Sequence, residues 1–157
     1  MNVEQVVIRG GIPIGMPGWV RSCYVVKMEP DLVTDDRLRG VLDELVRREP
    51  LFHRPEFGTT RADFEVMAAP DFWETGASGR RYSRAYVLDV LEERYKSPLA
   101  EEWETSDFRC QELAAEVYLL TYTLVLNGRR TRRATIWQQG ADGWTVLYHQ
   151  GTVVQDP

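Results

Sequence analysis

The chain has 157 residues, 43% of them hydrophobic and 27% charged, which suits one compact domain and excludes the composition of a disordered segment. Nineteen basic against 24 acidic residues leave a formal charge of −5, which disfavours nucleic acid as a general partner. Two cysteines without paired ligand spacing predict reduced thiols rather than a disulfide framework or a zinc site, and no metal or cofactor is expected. With no long apolar run and no signal-peptide pattern at the start, a cytoplasmic protein without membrane contact is the expectation.

Residues 1–33 carry the Gly- and Pro-rich "RGGIPIGMPGW" between two short strand-like runs, and read as an N-terminal extension to a single domain over 34–157. Thr34 then caps a predicted helix whose Leu38, Val41, Leu42, Leu45 and Val46 recur at helical spacing and which Pro50 stops. The loop "EPLFHRPEFGT" leads to Thr60 and Asp63, a capping box opening a short helix that ends by Pro70. "DFWETGASG" reads as a brief strand and turn. Ser83 caps a third helix with Val87, Leu88, Leu91 and Tyr95 on one face, closed by Pro98.

Strands are predicted over 103–113, 116–126, 129–139 and 144–152. Asn127-Gly128 is a strong two-residue hairpin signal that pairs Leu126 with Arg129 and places Tyr122 opposite Arg133, Leu120 opposite Thr135 and Tyr118 opposite Trp137. Both faces of 116–126 are then largely apolar and require cover, the helices on one side and the N-terminal segment or a second copy on the other. A homodimer is expected, since two-fold pairing is the commonest solution.

Three helices followed by a meander of antiparallel strands make an α+β pattern with the helices on one face of the sheet. On this pattern "PDFWETGASGRRYSRAYVLDVL", "LLTYTL" and "RRATIWQQGADGWTVLYHQGT" resemble a bacterial family of the nuclear transport factor 2-like superfamily, domain of unknown function 4440, over roughly residues 37–153. The resemblance implies a cone: a strongly curved sheet wrapped against three helices around an open cavity. It also implies a superfamily that holds ketosteroid isomerase-like and SnoaL-like enzymes beside non-catalytic binding and dimerisation modules, so fold does not decide function. The aspartate-and-tyrosine pattern of the steroid isomerases has no unambiguous counterpart here.

Four groups of residues invite a functional reading. His149, in "LYHQGTVV", is a cavity base or donor, or else a core histidine satisfied by backbone or carboxylate; its direction depends on whether "GADG" is a four-residue loop, which would set it opposite Ala134. Gly151 beside it would let the chain turn away. His53, Arg54 and Glu56 in "FHRPEF" rim a cavity mouth, or tie a loop down by an ion pair. Glu74, next to Trp73, is a general acid if desolvated, or an ordinary exposed strand glutamate.

Tyr118, Tyr122, Trp137 and Trp144 share a sheet face as core, dimer interface or ligand cage, with Tyr122 and Trp137 the ligand-binding candidates. Arg129, Arg130, Arg132 and Arg133 divide between two faces and make no phosphate-binding stripe. Three functions compete: a module whose partly apolar cavity binds a small molecule, a cofactor-independent isomerase or dehydratase using His149 or Glu74, and a protein-interaction module.

Overall fold

The structure, a computed structural model, describes residues 29–97 and 102–155. Contacts divide the chain into Met1–Asp31 and Leu32–Pro157, and every described helix and strand belongs to the second unit. The strands expected within residues 1–33 and the stop at Pro98 lie outside the described residues, as does Cys23.

The second unit opens with a 3-10 turn at Asp36–Leu38 that runs into helix α1, Arg39–Arg48. Asp35, not Thr34, caps this start, its carboxylate accepting from the Arg37 amide at 3.0 Å. Thr34 is used elsewhere: its hydroxyl accepts from the Cys110 amide at 2.9 Å and ties the incoming chain to the sheet. Helix α2, Arg61–Met67, begins with the expected capping box of Thr60 and Asp63. It gives way at Ala68 to strand β1, Ala68–Thr75, so Pro70 sits within a strand rather than ending a helix. Strand β2, Arg81–Ser83, leads through the Ser83 cap into helix α3, Arg84–Lys96. The long strands follow: β3, Trp103–Ala114; β4, Val117–Leu126; β5, Arg129–Gly140; β6, Gly143–Val153.

These form one curved, mostly antiparallel sheet in the order β2-β1-β6-β5-β4-β3, with the three helices packed on its inner face. The single parallel pairing, β1 with β6, closes the helical segment back onto the last strand. At the β4–β5 hairpin Asn127 and Gly128 adopt φ of 48° and 78°, the left-handed pair that a tight two-residue turn requires. The register it sets is the expected one, with Tyr122 opposite Arg133, Leu120 opposite Thr135 and Tyr118 opposite Trp137.

Alternation sends Tyr118, Leu120, Tyr122 and Leu124 of β4 to the inner face, where all four are buried. They join Leu45 of α1, Phe64 of α2, Leu88 and Leu91 of α3, and Trp137 and Val146 in one core cluster. Phe52 meets both Phe64 and Phe72 edge to face, at 5.9 and 6.0 Å between centroids.

Two bulges re-aim side chains. In β3 the register shifts between Ser106 and Arg109, and Asp107 takes φ 56°; Phe108 thereby stacks on Tyr122 at 5.0 Å. In β6 the register shifts opposite Ile136 and Trp137: Val146 pairs with Trp137, but Tyr148 pairs with Ile136. One extra residue reverses the parity, so Trp144 and Val146 are buried on the inner side before it and His149 and Gly151 after it.

The candidate binding hollow and its buried network

The inner face of the sheet is closed over at one end and open at the other. The open end is a hollow of about 340 Å³ between α3 and the sheet. Leu51, Phe52, Val87, Leu91 and Leu126 give it an apolar floor, while Tyr86 and Val90, both exposed, stand at the rim. Its polar groups are His53, Glu74, Arg94, Arg133 and His149. Four elements and a loop thus bring together polar residues that lie up to 96 positions apart, which is why spacing along the chain did not show the set.

His149 is buried, and its place is set by the β6 bulge: Gln139 pairs with Trp144 as a 140–143 loop requires, but the extra residue between Val146 and Tyr148 sets His149 opposite Thr135, one residue from the expected Ala134. Arg133 Nη1 lies 3.3 Å from His149 Nε2. A guanidinium only donates, so Nε2 is the acceptor and the ring proton belongs on Nδ1. From there Nδ1–H donates to Thr135 Oγ1 at 3.0 Å, and the Thr135 hydroxyl donates to Glu49 Oε1 at 2.7 Å. The chain of donors runs one way, from a cation to a buried carboxylate. Burial, with help from the charges of Arg133 and His53, lowers the His149 pKa from 6.5 to about 3, so the ring is neutral at physiological pH.

Glu49 is the residue the sequence reading missed. It follows the last turn of α1 in extended conformation and is completely buried. Besides Thr135, Tyr122 donates to Oε2 at 2.8 Å and Trp137 Nε1–H to Oε1 at 3.3 Å. Burial pushes the Glu49 carboxyl above its ordinary value, against the pull of Thr135, Tyr122, Trp137 and the Leu51 amide. Burial and the Glu49 charge also raise the Tyr122 phenol well above its usual range, keeping it a donor. The missed signal was periodicity: Leu38, Leu42 and Leu45 continue to position 49 on the same stripe, so an acid there faces the core.

Arg133 is fixed from two sides. Its Nε–H donates to Thr131 Oγ1 at 2.9 Å, and its guanidinium lies across Gly151, where an added Cβ would stand 2.9 Å from Nη1. Gly151 is therefore no turn; it sits in mid-strand and leaves room for a cation. Glu74 is half-buried and lines the hollow. Burial raises its pKa, with Arg133 and Arg94 opposing. Arg94 Nη1 in turn approaches His53 Nε2 at 3.4 Å.

The other expected site residues fall outside the hollow. Arg54 donates through Nε to the Glu49 carbonyl at 2.6 Å, lays its guanidinium 4.4 Å from the Trp103 ring centroid, and reaches Glu56 at 3.8 Å. Arg54 and Glu56 thus tie the loop down. Trp137 is wholly buried, Tyr122 turns its hydroxyl to Glu49, and Trp73 lies on the outer face against Tyr148, with centroids 4.6 Å apart. Among the hairpin arginines, Arg132 faces outward with Asp107, opposite in direction to Arg133. Cys110 is a free, buried thiol. Among the described residues no helix is long and apolar enough to cross a membrane, and no cluster of three His, Cys, Asp or Glu side chains is arranged to hold a metal ion.

No family model and no curated protein matches the chain. Solved structures do. An NTF2-like protein from Cytophaga hutchinsonii superposes with a TM-score of 0.58 at 13% identity, covering 77% of this chain and 100% of its own. The chain has the NTF2-like fold. An NTF2-like protein from Streptomyces avermitilis, provisionally named a dehydratase, matches with a TM-score of 0.60 at 12% identity over 74% of this chain and 98% of its own. A protein from Parabacteroides distasonis, provisionally named a ketosteroid isomerase, gives 0.56 at 12% identity over 79% and 96%. At such identities the likeness carries the fold and not the chemistry. The narrower placement in domain of unknown function 4440 is not supported by a family match.

Proposed function

We propose that this domain is a small-molecule-binding module whose ligand occupies the hollow beneath α3. The observation that carries this reading is the hollow itself: about 340 Å³, half open, with an apolar floor and a few convergent polar groups. That volume lies at the small end of the roughly 300–1,000 Å³ of ligand pockets. His149 contributes as a positioning group. Its Nε2 is already engaged by Arg133, and a pKa of about 3 makes it a feeble base near neutrality. The test is a thermal-shift screen of small molecules on the wild-type chain and on Val90→Trp, which blocks the rim. Compounds that stabilise the wild type are expected to lose that effect in Val90→Trp; equal stabilisation of both contradicts the reading.

A second reading rests on Glu74. Its carboxyl faces the hollow with a pKa raised by burial, the condition a general acid or base needs, and a cofactor-independent isomerase or dehydratase would use it rather than His149. Turnover of a stabilising compound that Glu74→Gln abolishes would favour this over simple binding.

The chain is further proposed to pair as a homodimer through the outer face of the sheet. Trp73, 43% exposed and packed on Tyr148, supports this, as do the half-buried Val117, Leu119, Val125 and Ile136. Sedimentation at several concentrations checks it; a monomer throughout contradicts it.

A further inference from the structure

The charges in the hollow do not balance, and the imbalance has a chemical meaning. Arg94 and Arg133 bring two permanent positive charges, beside the titratable His53, against the one carboxylate of Glu74, while His149 is neutral. Glu74 is close enough for both cations to act on its ionisation, yet among the described residues neither guanidinium closes an ion pair. Arg133 is also built in rather than loose. Thr131 takes its Nε–H, His149 takes one Nη1–H, and the missing side chain of Gly151 gives the group its bed. Of five guanidinium donors, three remain.

Filling the hollow strips water from these cations. A neutral apolar guest would leave two partly desolvated charges without compensation, and a cationic one would add a third. A dianion would bring more negative charge beside Glu74 than the two permanent cations balance. A monoanionic carboxylate matches the surplus and the planar geometry of guanidinium groups. The apolar floor, from Phe52, Val87, Leu91 and Leu126, calls for a hydrocarbon body attached to it.

We propose that the ligand is a small apolar carboxylic acid, bound as its anion with the carboxylate between Arg94 and Arg133 and its hydrocarbon part against α3. This rests on the reading of the hollow as a ligand site. Under it the relay from Glu49 through Thr135 and His149 has a function: the relay fixes the acceptor that holds Arg133 in place, so that the cation is ready before the anion arrives.

The experiment is isothermal titration of the full chain with hexanoate and with hexanamide, which share length and shape and differ in charge, at a fixed 0.15 M salt. Hexanoate is expected to bind at least tenfold more tightly than hexanamide, as charge-assisted hydrogen bonds give. In Arg94→Gln that preference should fall to near equality, and in Val90→Trp both should fail to bind. The wild-type comparison needs no variant, so a substitution that unfolds the chain leaves the test standing. Equal or better binding of hexanamide overturns the charge assignment while leaving the hollow as a ligand site. Binding of hexanoate that survives Val90→Trp places the anion elsewhere and overturns it too. If neither compound binds, the carboxylate assignment falls, and the thermal-shift screen against Val90→Trp decides the hollow by itself.

Discussion

The two ends of the sheet's inner face are built from the same strands and differ in nearly everything else. At the closed end Trp137, Leu120 and Val146 are wholly buried, joined by Trp144, whose indole N–H donates to Glu44 of α1 at 2.7 Å. At the open end, four residues before Trp137 in β5 and three after Val146 in β6, Arg133 and His149 face a hollow, with Gly151 making room for the guanidinium. Between them lies Glu49, taking hydrogen bonds from Trp137 on the closed side and from Thr135 toward His149 on the open side. At the closed end both indole N–H groups terminate on carboxylates, Trp137 on Glu49 and Trp144 on Glu44. The open end can carry charge because that same carboxylate orients the histidine that holds Arg133. The difference teaches that stability and recognition are separable here in place but are joined through one buried acid.

The sharpest way to break the comparison is at its middle. Tyr122→Ala removes a ring that is 3% exposed, its stack on Phe108 and a donor to Glu49, and is expected to cost about 3–5 kcal/mol in urea unfolding. A near-neutral result would take Tyr122 out of the core. Next is pH. The unfolded histidine takes up a proton below about 6.5, whereas the folded His149 resists until about 3. The unfolded state thus binds more protons across that window, and stability falls as pH drops from 6.5 toward 3, by on the order of 4 kcal/mol for this one group. Glu49 acts in the opposite sense, its raised pKa giving stability that is lost as pH rises above the ordinary carboxylate value. Comparing wild type with His149→Asn isolates the histidine: the variant should show the shallower acid-side loss, and parallel curves would contradict a neutral His149.

A smaller effect is expected from Glu49→Gln, which keeps the shape but turns part of an acceptor into a donor facing Thr135 or Tyr122. It should cost about 1–3 kcal/mol by denaturant unfolding and loosen both ends at once. The smallest is Gly151→Ala. The new methyl crowds Arg133 and stands 3.3 Å from the Ala77 Cβ, so it should cost about 1 kcal/mol, as mild overpacking does. Its larger consequence falls at the open end, where hexanoate affinity should drop while the closed end, followed by near-ultraviolet circular dichroism of its tryptophans, stays unchanged.

Much of the closed end was legible in the sequence. The Asn127-Gly128 turn fixed the β4–β5 register and with it the neighbours of Tyr118, Leu120 and Tyr122, and the caps at Thr60 and Ser83 marked two helix starts. Those are local signals, in which turn chemistry and side-chain alternation dictate the result. The open end depended on features without such a signal. The extra residue in β6 reverses the direction of His149, the three-residue β2 is too short to declare itself, and the parallel pairing of Glu74 with His149 joins residues 75 positions apart. Charge also misled: Glu49 after two arginines and before Pro50 looks like a helix stop, although its spacing from Leu45 places it on the buried stripe. Alternation already separated Arg133 from Arg132, but not the pairing with His149 that gives Arg133 its place.

The central claim is that His149 is a neutral ring protonated on Nδ1, whose Nε2 holds Arg133 at the edge of the hollow. Long-range nitrogen–proton NMR of the imidazole tests it most directly. The account predicts one Nδ1–H tautomer with no titration between pH 5 and 8, as a pKa of about 3 requires. A ring that takes up a proton near 6.5, or one protonated on Nε2, would contradict it, because Arg133 would then face a second donor and the relay from Glu49 would not exist.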